Sequence, residues 1–555
     1  MLNAACITIF PLLLTIAHAH TTTKEAASRP SLIVFHIDFN SVALKEDYLR
    51  KWLRNASAMG YNAVLWEIEG KVKWETCPEC ASPDAFSKST FRDILAYSRS
   101  LGLEAIPLLQ TVGHAEYVLQ HEKYSNFKED PEKYDCYATC NPELRRFIRR
   151  WIQEYLELFG AVRYFHLGGD EAYEFATSPG CSKLVAEKGK GGLFAEYLSD
   201  IAQPLLKKGI RPCIWNDQIM KYPEAISQIP KSFVFWDWNY WDGDSVPPSV
   251  MIWDRGRRLS REELTSSDLE RYPEILDRHG NLRPFYTADA LKRLGYDVVL
   301  CSSSRSSGDG VFAVRQMYHA SNIFGAARKA AREHLLGNCV TSWAIRIPSY
   351  ETQQALLYLA PLTLNNDTLS LADLLCRSVE RTFGICEKGI MEALEDIGSP
   401  FPFAEGRSTG IQWTGMKDSR PAPHGYIYQM ISDWQRSDNG VQWGENEVRI
   451  GASEGRISKG SKELNAFLPR AVRGTEVLEH WQKAEYFQQW GSVIANEIVC
   501  AEGGRAVKSS AELVQLLVDL KRDYTHWLDE WMTPQSADMN AGLVYDALID
   551  YFAHK

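Results

Sequence analysis

The string Tyr164-Phe165-His166-Leu167-Gly168-Gly169-Asp170-Glu171-Ala172-Tyr173 sets two adjacent carboxylates directly after an apolar, strand-like run and two glycines. Neighbours on a regular strand point to opposite faces, so both acids can meet one substrate only where the strand ends and bends. Glycine permits that bend because it lacks a Cβ. Two carboxylates held together repel, and partial burial drives their proton affinities further apart. One then stays ionised while the other carries a proton. That division suits cleavage of an acetal, in which a proton must reach the leaving oxygen while negative charge stabilises a developing cation. Adjacent residues need not span the roughly 5 to 9 Å that separates an ordinary nucleophile and acid across a glycosidic bond. A nucleophile supplied by the substrate removes that requirement.

The flanking pattern says what must position such a pair. Short β-branched, apolar runs at 32–38, 63–69, 105–110, 164–170, 211–217, 233–238, 297–302 and 339–343 alternate with amphipathic helical stretches such as 45–59, 88–101, 142–159, 193–208 and 319–335. Eight such units imply an α/β fold, a (β/α)8 TIM barrel over residues 31–365. Polar residues fall at the ends of the predicted strands: His36 and Asp38, Glu67 and Glu69, Gln110 and His114, Asp217, Trp236 and Asp237, Ser302 and Trp343. In a barrel those ends converge on one mouth. The long connection 242–283 after the sixth strand is expected to shape the site or an oligomer contact. From 366 to 555 helix periodicity dominates, at 371–382, 477–495, 511–531 and 542–552, so a mainly α-helical C-terminal domain follows, with an irregular segment at 406–424.

The chain has 555 residues, 45% hydrophobic and 24% charged, and a net charge of 61 − 71 = −10. An acidic balance without a basic block leaves no footprint for a nucleic acid backbone. Residues 1–19 read as a signal peptide, with an apolar stretch and Ala17-His18-Ala19, so a secreted or periplasmic protein starting near His20 is expected. No later run is long and apolar enough to span a membrane. Twelve cysteines become eleven once Cys6 leaves with the leader, so at least one stays unpaired within the chain. Cys77, Cys80, Cys136 and Cys140 admit loop disulfides, free thiols or a zinc site, although no paired histidines follow. Asn55-Ala56-Ser57 and Asn366-Asp367-Thr368 fit the glycosylation pattern.

His166-Leu-Gly-Gly-Asp170-Glu171 resembles the catalytic signature of glycoside hydrolase family 20, the β-N-acetylhexosaminidases. The strings Ile106-Pro-Leu-Leu-Gln110-Thr-Val-Gly-His114-Ala-Glu116-Tyr, Ile214-Trp215-Asn-Asp217, Phe235-Trp236-Asp237 and Thr341-Ser-Trp343 resemble the hexosaminidase D group, in order over residues 31 to 360. The resemblance implies an exo-acting, retaining enzyme that removes terminal β-linked GlcNAc or GalNAc from glycans and glycoconjugates, with no cofactor and no metal. It makes Glu171 the general acid and base, and gives Asp170 the task of orienting the substrate's 2-acetamido group, whose oxygen is the nucleophile. Trp215, Trp236 and Trp343 would surround the acetamido methyl and the sugar face, His114 and Glu116 would line the pocket, Asp217 would bind substrate, and His166 would lie behind the pair. Two departures stand out. The first strand ends in His36-Ile-Asp38 where many members carry an arginine for the sugar hydroxyls, which leaves Asp38, Glu67 or Glu69 for that task. Tyr240, after Trp238-Asn239, is the candidate for the tyrosine that meets the acetamido oxygen. Two alternatives remain: a barrel glycosidase acting on a sugar without an acetamido group, and a non-catalytic glycan-binding protein. The helical region either packs on the barrel or forms a homodimer contact.

Overall fold

The computed structural model describes residues 30–554, apart from 41, 307–308, 344–348, 388, 399–440 and 503–507. The leader at 1–19 and the irregular segment at 406–424 lie outside the described residues. The strands are β1 (Leu32–Asp38), β2 (Ala63–Glu67), β3 (Glu104–Leu108), β4 (Tyr164–His166), β5 (Arg211–Trp215), β6 (Val234–Trp238), β7 (Val250–Ile252), β8 (Arg257–Leu259), β9 (Asp297–Arg305) and β10 (Gly337–Ser342). Eight of them close a parallel barrel in the order β1-β10-β9-β6-β5-β4-β3-β2, while β7 and β8 form a separate antiparallel hairpin. The barrel strands are buried on both faces, and β2 to β6 are mostly apolar, while β9 and β10 carry buried polar residues such as Ser302, Ser303, Asn338 and Thr341. Val34, Leu65, Ile106, Cys213, Trp215, Val234 and Trp236 fill the interior, while Ile33, Phe35 and Ile37 point outward to the helices.

The helices follow their local signals. Pro142–Phe159 begins where the Asn141 side chain accepts a hydrogen bond from Glu143 N and ends at Gly160, and it buries Leu144, Phe147, Ile148, Trp151 and Tyr155 along one face. Several expected boundaries move. The fourth strand stops at His166, because the backbone turns through Gly168 and Gly169, and the fifth stops at Trp215, because Asp217 opens a short helix. The helix expected at 193–208 instead runs Ser182–Ile201 with a kink at Gly189, and Pro204 then starts a separate turn. The last helix begins at Pro534 rather than 542. Thr533 caps it there, ahead of the apolar periodicity.

The helical region packs directly on the barrel. Ala43 and Lys45, just past β1, hydrogen-bond to Ser536, Thr533 and Trp531, and Leu44 pairs with Met532. One continuous apolar cluster runs from Phe35 and Trp52 to Trp527, Trp531 and Leu548. The cysteines settle as Cys77–Cys80, Cys140–Cys181 and Cys376–Cys386, with Cys136, Cys213, Cys301, Cys339 and Cys500 as buried thiols. The zinc alternative therefore loses its sulfur ligands, since three of the four cysteines are oxidised. Among the described residues no helix is long and apolar enough to cross a membrane.

The 242–283 connection is anchored against the barrel. Asp242 accepts hydrogen bonds from Asn239 Nδ2 and Phe285 N, and Trp253 meets Trp238 edge to face at 5.1 Å. A Cβ on Gly325, in the helix Gln316–Arg332, would lie 2.5 Å from the Gly243 carbonyl carbon. Gly325→Ala gains about 1 kcal/mol of helix propensity but must displace that backbone, at a cost of roughly 1–3 kcal/mol. Thermal unfolding is expected to show a net loss of stability. A rise in Tm would show that the connection is not seated on this helix.

Candidate active site

The bend after β4 continues the ladder instead of abandoning it. Leu167 N donates to Cys213 O and Trp215 N donates to Gly168 O, so the chain stays registered with β5 while it turns. Gly168 has φ +65° and Gly169 φ +92°, and a Cβ on Gly168 would fall 2.0 Å from Gln110 Oε1. Gly168 N donates to His166 Nδ1 at 3.0 Å. His166 thus braces the turn from below, with its ring 4.4 Å from Trp215 and 5.1 Å from Trp236. Burial holds its pKa well below the ordinary histidine value, with the like charge of His36 adding to that.

Past the glycines the acids divide by depth. Asp170 is 6% exposed and its Oδ1 has no hydrogen-bond partner among the described residues. The Glu171 side chain is 40% exposed, at the rim. Glu171 adopts φ +42°, and its N–H donates to Asp217 Oδ2 at 2.9 Å, which fixes that conformation. Trp238 Nε1 donates to the other Asp217 oxygen at 3.2 Å, so Asp217 spends both oxygens positioning protein groups. Burial, then the Asp170 charge, push Asp217 up to about 7. Tyr173, two residues past Glu171, donates its hydroxyl to Glu171 Oε1 at 3.0 Å. Tyr173 is a site residue that sequence pattern alone does not mark, beyond its place two positions after the bent acid.

His114 joins the two acids. Its Nε2 lies 3.3 Å from Asp170 Oδ2 and 3.6 Å from Glu171 Oε2. Burial opposes its charge, but Asp170 first and then Glu116 and Glu171 overcome that and hold its pKa well above the ordinary histidine value. Gly113 makes this approach possible, because a Cβ there would sit 2.4 Å from the Asp170 carbonyl oxygen. Thr111 Oγ1 donates to Leu167 O at 2.6 Å and ties the same loop to the bend. Glu69, His114 and Glu171 all have positive φ without being glycine, so backbone strain collects at this mouth, as it does at functional sites.

Around this centre the other predicted residues divide. Glu67 accepts from Gln110 Nε2 at 2.8 Å and from His36 Nε2 at 3.1 Å. His36 Nδ1 accepts from Ser342 N, so Nε2 carries the proton of the neutral ring, and burial holds its pKa at about 4. Asp38 accepts from Asn40 N, and Asn40 Nδ2 donates to Glu69 at 3.0 Å. Burial raises Glu67 to about 7 and Glu69 well above the ordinary carboxylate range. Trp343 donates its indole N–H to Tyr240 Oη at 3.0 Å and packs on His36 and Trp215. Trp215 and Trp236 are fully buried in the barrel interior, as a floor beneath the mouth, and their indole nitrogens lack acceptors among the described residues. The one group of described residues spaced to hold a metal ion is Glu351, Glu476 and His480, at the junction with the helical region, where the Lys51 ammonium already bonds both carboxylates.

Residues 64–252 match the family model described as glycosyl hydrolase family 20, catalytic domain. Hexosaminidase D of Homo sapiens is 26% identical over 240 residues, covering 41% of this chain and 49% of that protein. Hexosaminidase D of Bos taurus is 26% identical over 213 residues, covering 37% of this chain and 62% of that protein. The matched part of the chain thus spans about half of the human relative. A solved chitobiase of Flavobacterium johnsoniae shares 15% identity with a TM-score of 0.45, over 94% of this chain and 78% of that one.

Two expectations test this geometry. Gly168→Ala places a side chain on the Gln110 amide at a left-handed φ, and a displacement of the acids by about 1 Å is expected to cost on the order of 100-fold in kcat; full activity in a folded variant would contradict the bend. Glu116 is raised from 4.5 to about 7, chiefly by burial. Between those pH values the native state holds more protons there than the unfolded chain, so its contribution to stability falls as pH rises. The Tm of Glu116→Gln relative to wild type is expected to climb by about 2 °C or more from pH 4.5 to 7; a constant difference would refute the shift.

Proposed function

The barrel of this chain is related to the catalytic domain of glycoside hydrolase family 20, and on that premise we propose that it is a retaining, exo-acting β-N-acetylhexosaminidase that hydrolyses terminal β-linked GlcNAc or GalNAc by participation of the substrate's own acetamido group. The observation that carries this reading is the depth difference between adjacent acids: a rim carboxyl beside a buried carboxyl oxygen that has no donor among the described residues. Glu171, reachable from the opening, protonates the glycosidic oxygen as the C1–O bond breaks. The acetamido carbonyl oxygen forms the new bond to C1, and Asp170 Oδ1 accepts the amide N–H as positive charge spreads onto nitrogen. Glu171 then takes a proton from water, which attacks C1 on the face the leaving group vacated and reopens the ring. Two displacements give net retention, and no carboxylate has to reach C1.

The remaining roles follow from placement. The His114 imidazolium holds both carboxyl groups on one side and offsets their mutual repulsion. Asp217 and Tyr173 fix Glu171 from its backbone and from its carboxyl end. Asp38, Glu67 and Glu69, at the exits of β1 and β2, are assigned to the sugar hydroxyls, and Trp343 with Tyr240 supplies an aromatic surface beside them. The substrate is a glycan or glycoconjugate ending in N-acetylhexosamine, met in a secreted or periplasmic setting. Glu171→Gln is expected to lower kcat on an aryl β-N-acetylhexosaminide by about 10² to 10⁴-fold, and Asp170→Asn to lower it while leaving an equivalent glucoside uncleaved. Undiminished turnover by Glu171→Gln, or preferred hydrolysis of the plain glucoside, would reject this assignment.

A further inference from the structure

Two loops meet beside the acids, and the contact between them is a pair of carboxyl groups. The first loop runs from Lys128 to Tyr137, which pair with each other. It lies against the segment that carries His114: Tyr137 N donates to Val112 O at 2.9 Å, and Ala115 N donates to Asp135 O at 3.1 Å. The second is the stretch after Glu171, in which Phe175 is buried against Phe194 and Ser178 N donates to Glu129 Oε1 at 2.7 Å. Where the loops touch, the Asp135 and Glu174 carboxyl groups are hydrogen-bonded to each other.

Two ionised carboxylates offer no donor, so that bond exists only while one of them holds a proton. The surroundings say which. The Lys133 ammonium pairs with Glu174 Oε1. Glu174 Oε2 is buried and meets no N–H or hydroxyl among the described residues, and a protonated Asp135 supplies the missing donor. Burial, then the bond to Glu174 and its charge, raise Asp135 to about 6. Burial opposes the Glu174 charge, but the bond from Asp135 and Lys133 hold that carboxyl below its ordinary value. Asp130, Glu129 and the buried Cys136 thiol face the pair from its own loop, and Glu116 faces it from the turn Glu116–Leu119, with His114 and Asp170 behind. The Lys190 ammonium, from the helix Ser182–Ile201, is spent on Phe175 O. The consequence of the pair lies at Glu171. Tyr173 donates to Glu171 Oε1, yet it is 69% exposed, so packing does not hold it. Its place is set by the backbone on either side, through Asp217 at Glu171 N and through Asp135 at Glu174.

We propose that Asp135 is a positioning residue, which shares one proton with Glu174 and so holds the segment from Glu171 to Tyr173 in the conformation that protonates the glycosidic oxygen. When that proton leaves, two negative charges face each other and the segment loosens. The inference rests on the proposed role of Glu171, but one arm of its test needs no turnover. Full-length wild type, Asp135→Asn and Asp135→Ala, each shown by thermal unfolding to be folded at the assay temperature, are assayed on an aryl β-N-acetylhexosaminide from pH 5 to pH 7.5. The asparagine amide donates to Glu174 at every pH, and the ratio of variant to wild type cancels the titration of Glu171 itself. At pH 5 the kcat of Asp135→Asn is expected within about two-fold of wild type and that of Asp135→Ala about five-fold below it. At pH 7.5 Asp135→Asn is expected about five-fold above wild type and Asp135→Ala level with it. Ratios that do not change with pH would reduce Asp135 to a structural part and overturn the proposal. Hydrogen exchange of the amides at 172–176, corrected for its intrinsic pH dependence, reads the same loosening without substrate. Protection is expected to fall between pH 5 and pH 7.5 in wild type and to persist in Asp135→Asn. Equal pH dependence in the two proteins would refute the shared proton, whereas the expected difference in a wild type that cleaves nothing would reject the proposed hydrolysis alone.

Discussion

Everything at the mouth depends on turning two consecutive acids off a strand and onto one side. A strand cannot do this while it remains a strand. The chain meets the constraint with two glycines at positive φ, a third at Gly113 that lets the neighbouring loop touch the Asp170 carbonyl, and a strained Glu171 held by Asp217. The barrel supplies the registration. Hydrogen bonds to β5 persist on either side of the turn, so the bend has little freedom to move.

Electrostatics then follows from packing. Seven carboxyl groups, those of Asp38, Glu67, Glu69, Glu116, Asp170, Glu171 and Asp217, share the mouth. Burial pushes Glu67, Glu116 and Asp217 up to about 7 and Glu69 higher, so the surrounding groups tend to hold protons near neutral pH. His114 moves the other way and keeps its charge. The result sets the His114 imidazolium beside Asp170 and Glu171 in place of an uncompensated acidic patch.

The barrel was legible because parallel strands buried on both faces leave short apolar runs, and because helix caps such as Asn141-Pro142 mark their own starts. The position of Asp170 and Glu171 at a strand end was legible for the same reason. What lay beyond the pattern is what tertiary contact decides. Trp215 and Trp236 read as pocket rings, and only their alternation on β5 and β6 shows that they lie in the barrel interior, as a floor beneath the mouth. Asp217 read as a site residue, and its bond to the Glu171 backbone depends on the early end of β5, which the local pattern does not show. The bond from Tyr173 to Glu171 depends on the bend, which brings a residue two positions onward back against the acid.

The central claim is that the sugar's acetamido oxygen attacks the anomeric carbon while Asp170 and Glu171 orient and protonate. Hydrolysis of aryl glycosides bearing acetamido, monofluoro-, difluoro- and trifluoroacetamido groups tests it directly, because each fluorine weakens that oxygen as a nucleophile without changing the leaving group. The account requires kcat to fall steeply and steadily along the series. A flat series, or a covalent glycosyl ester isolated on the polypeptide, would contradict it.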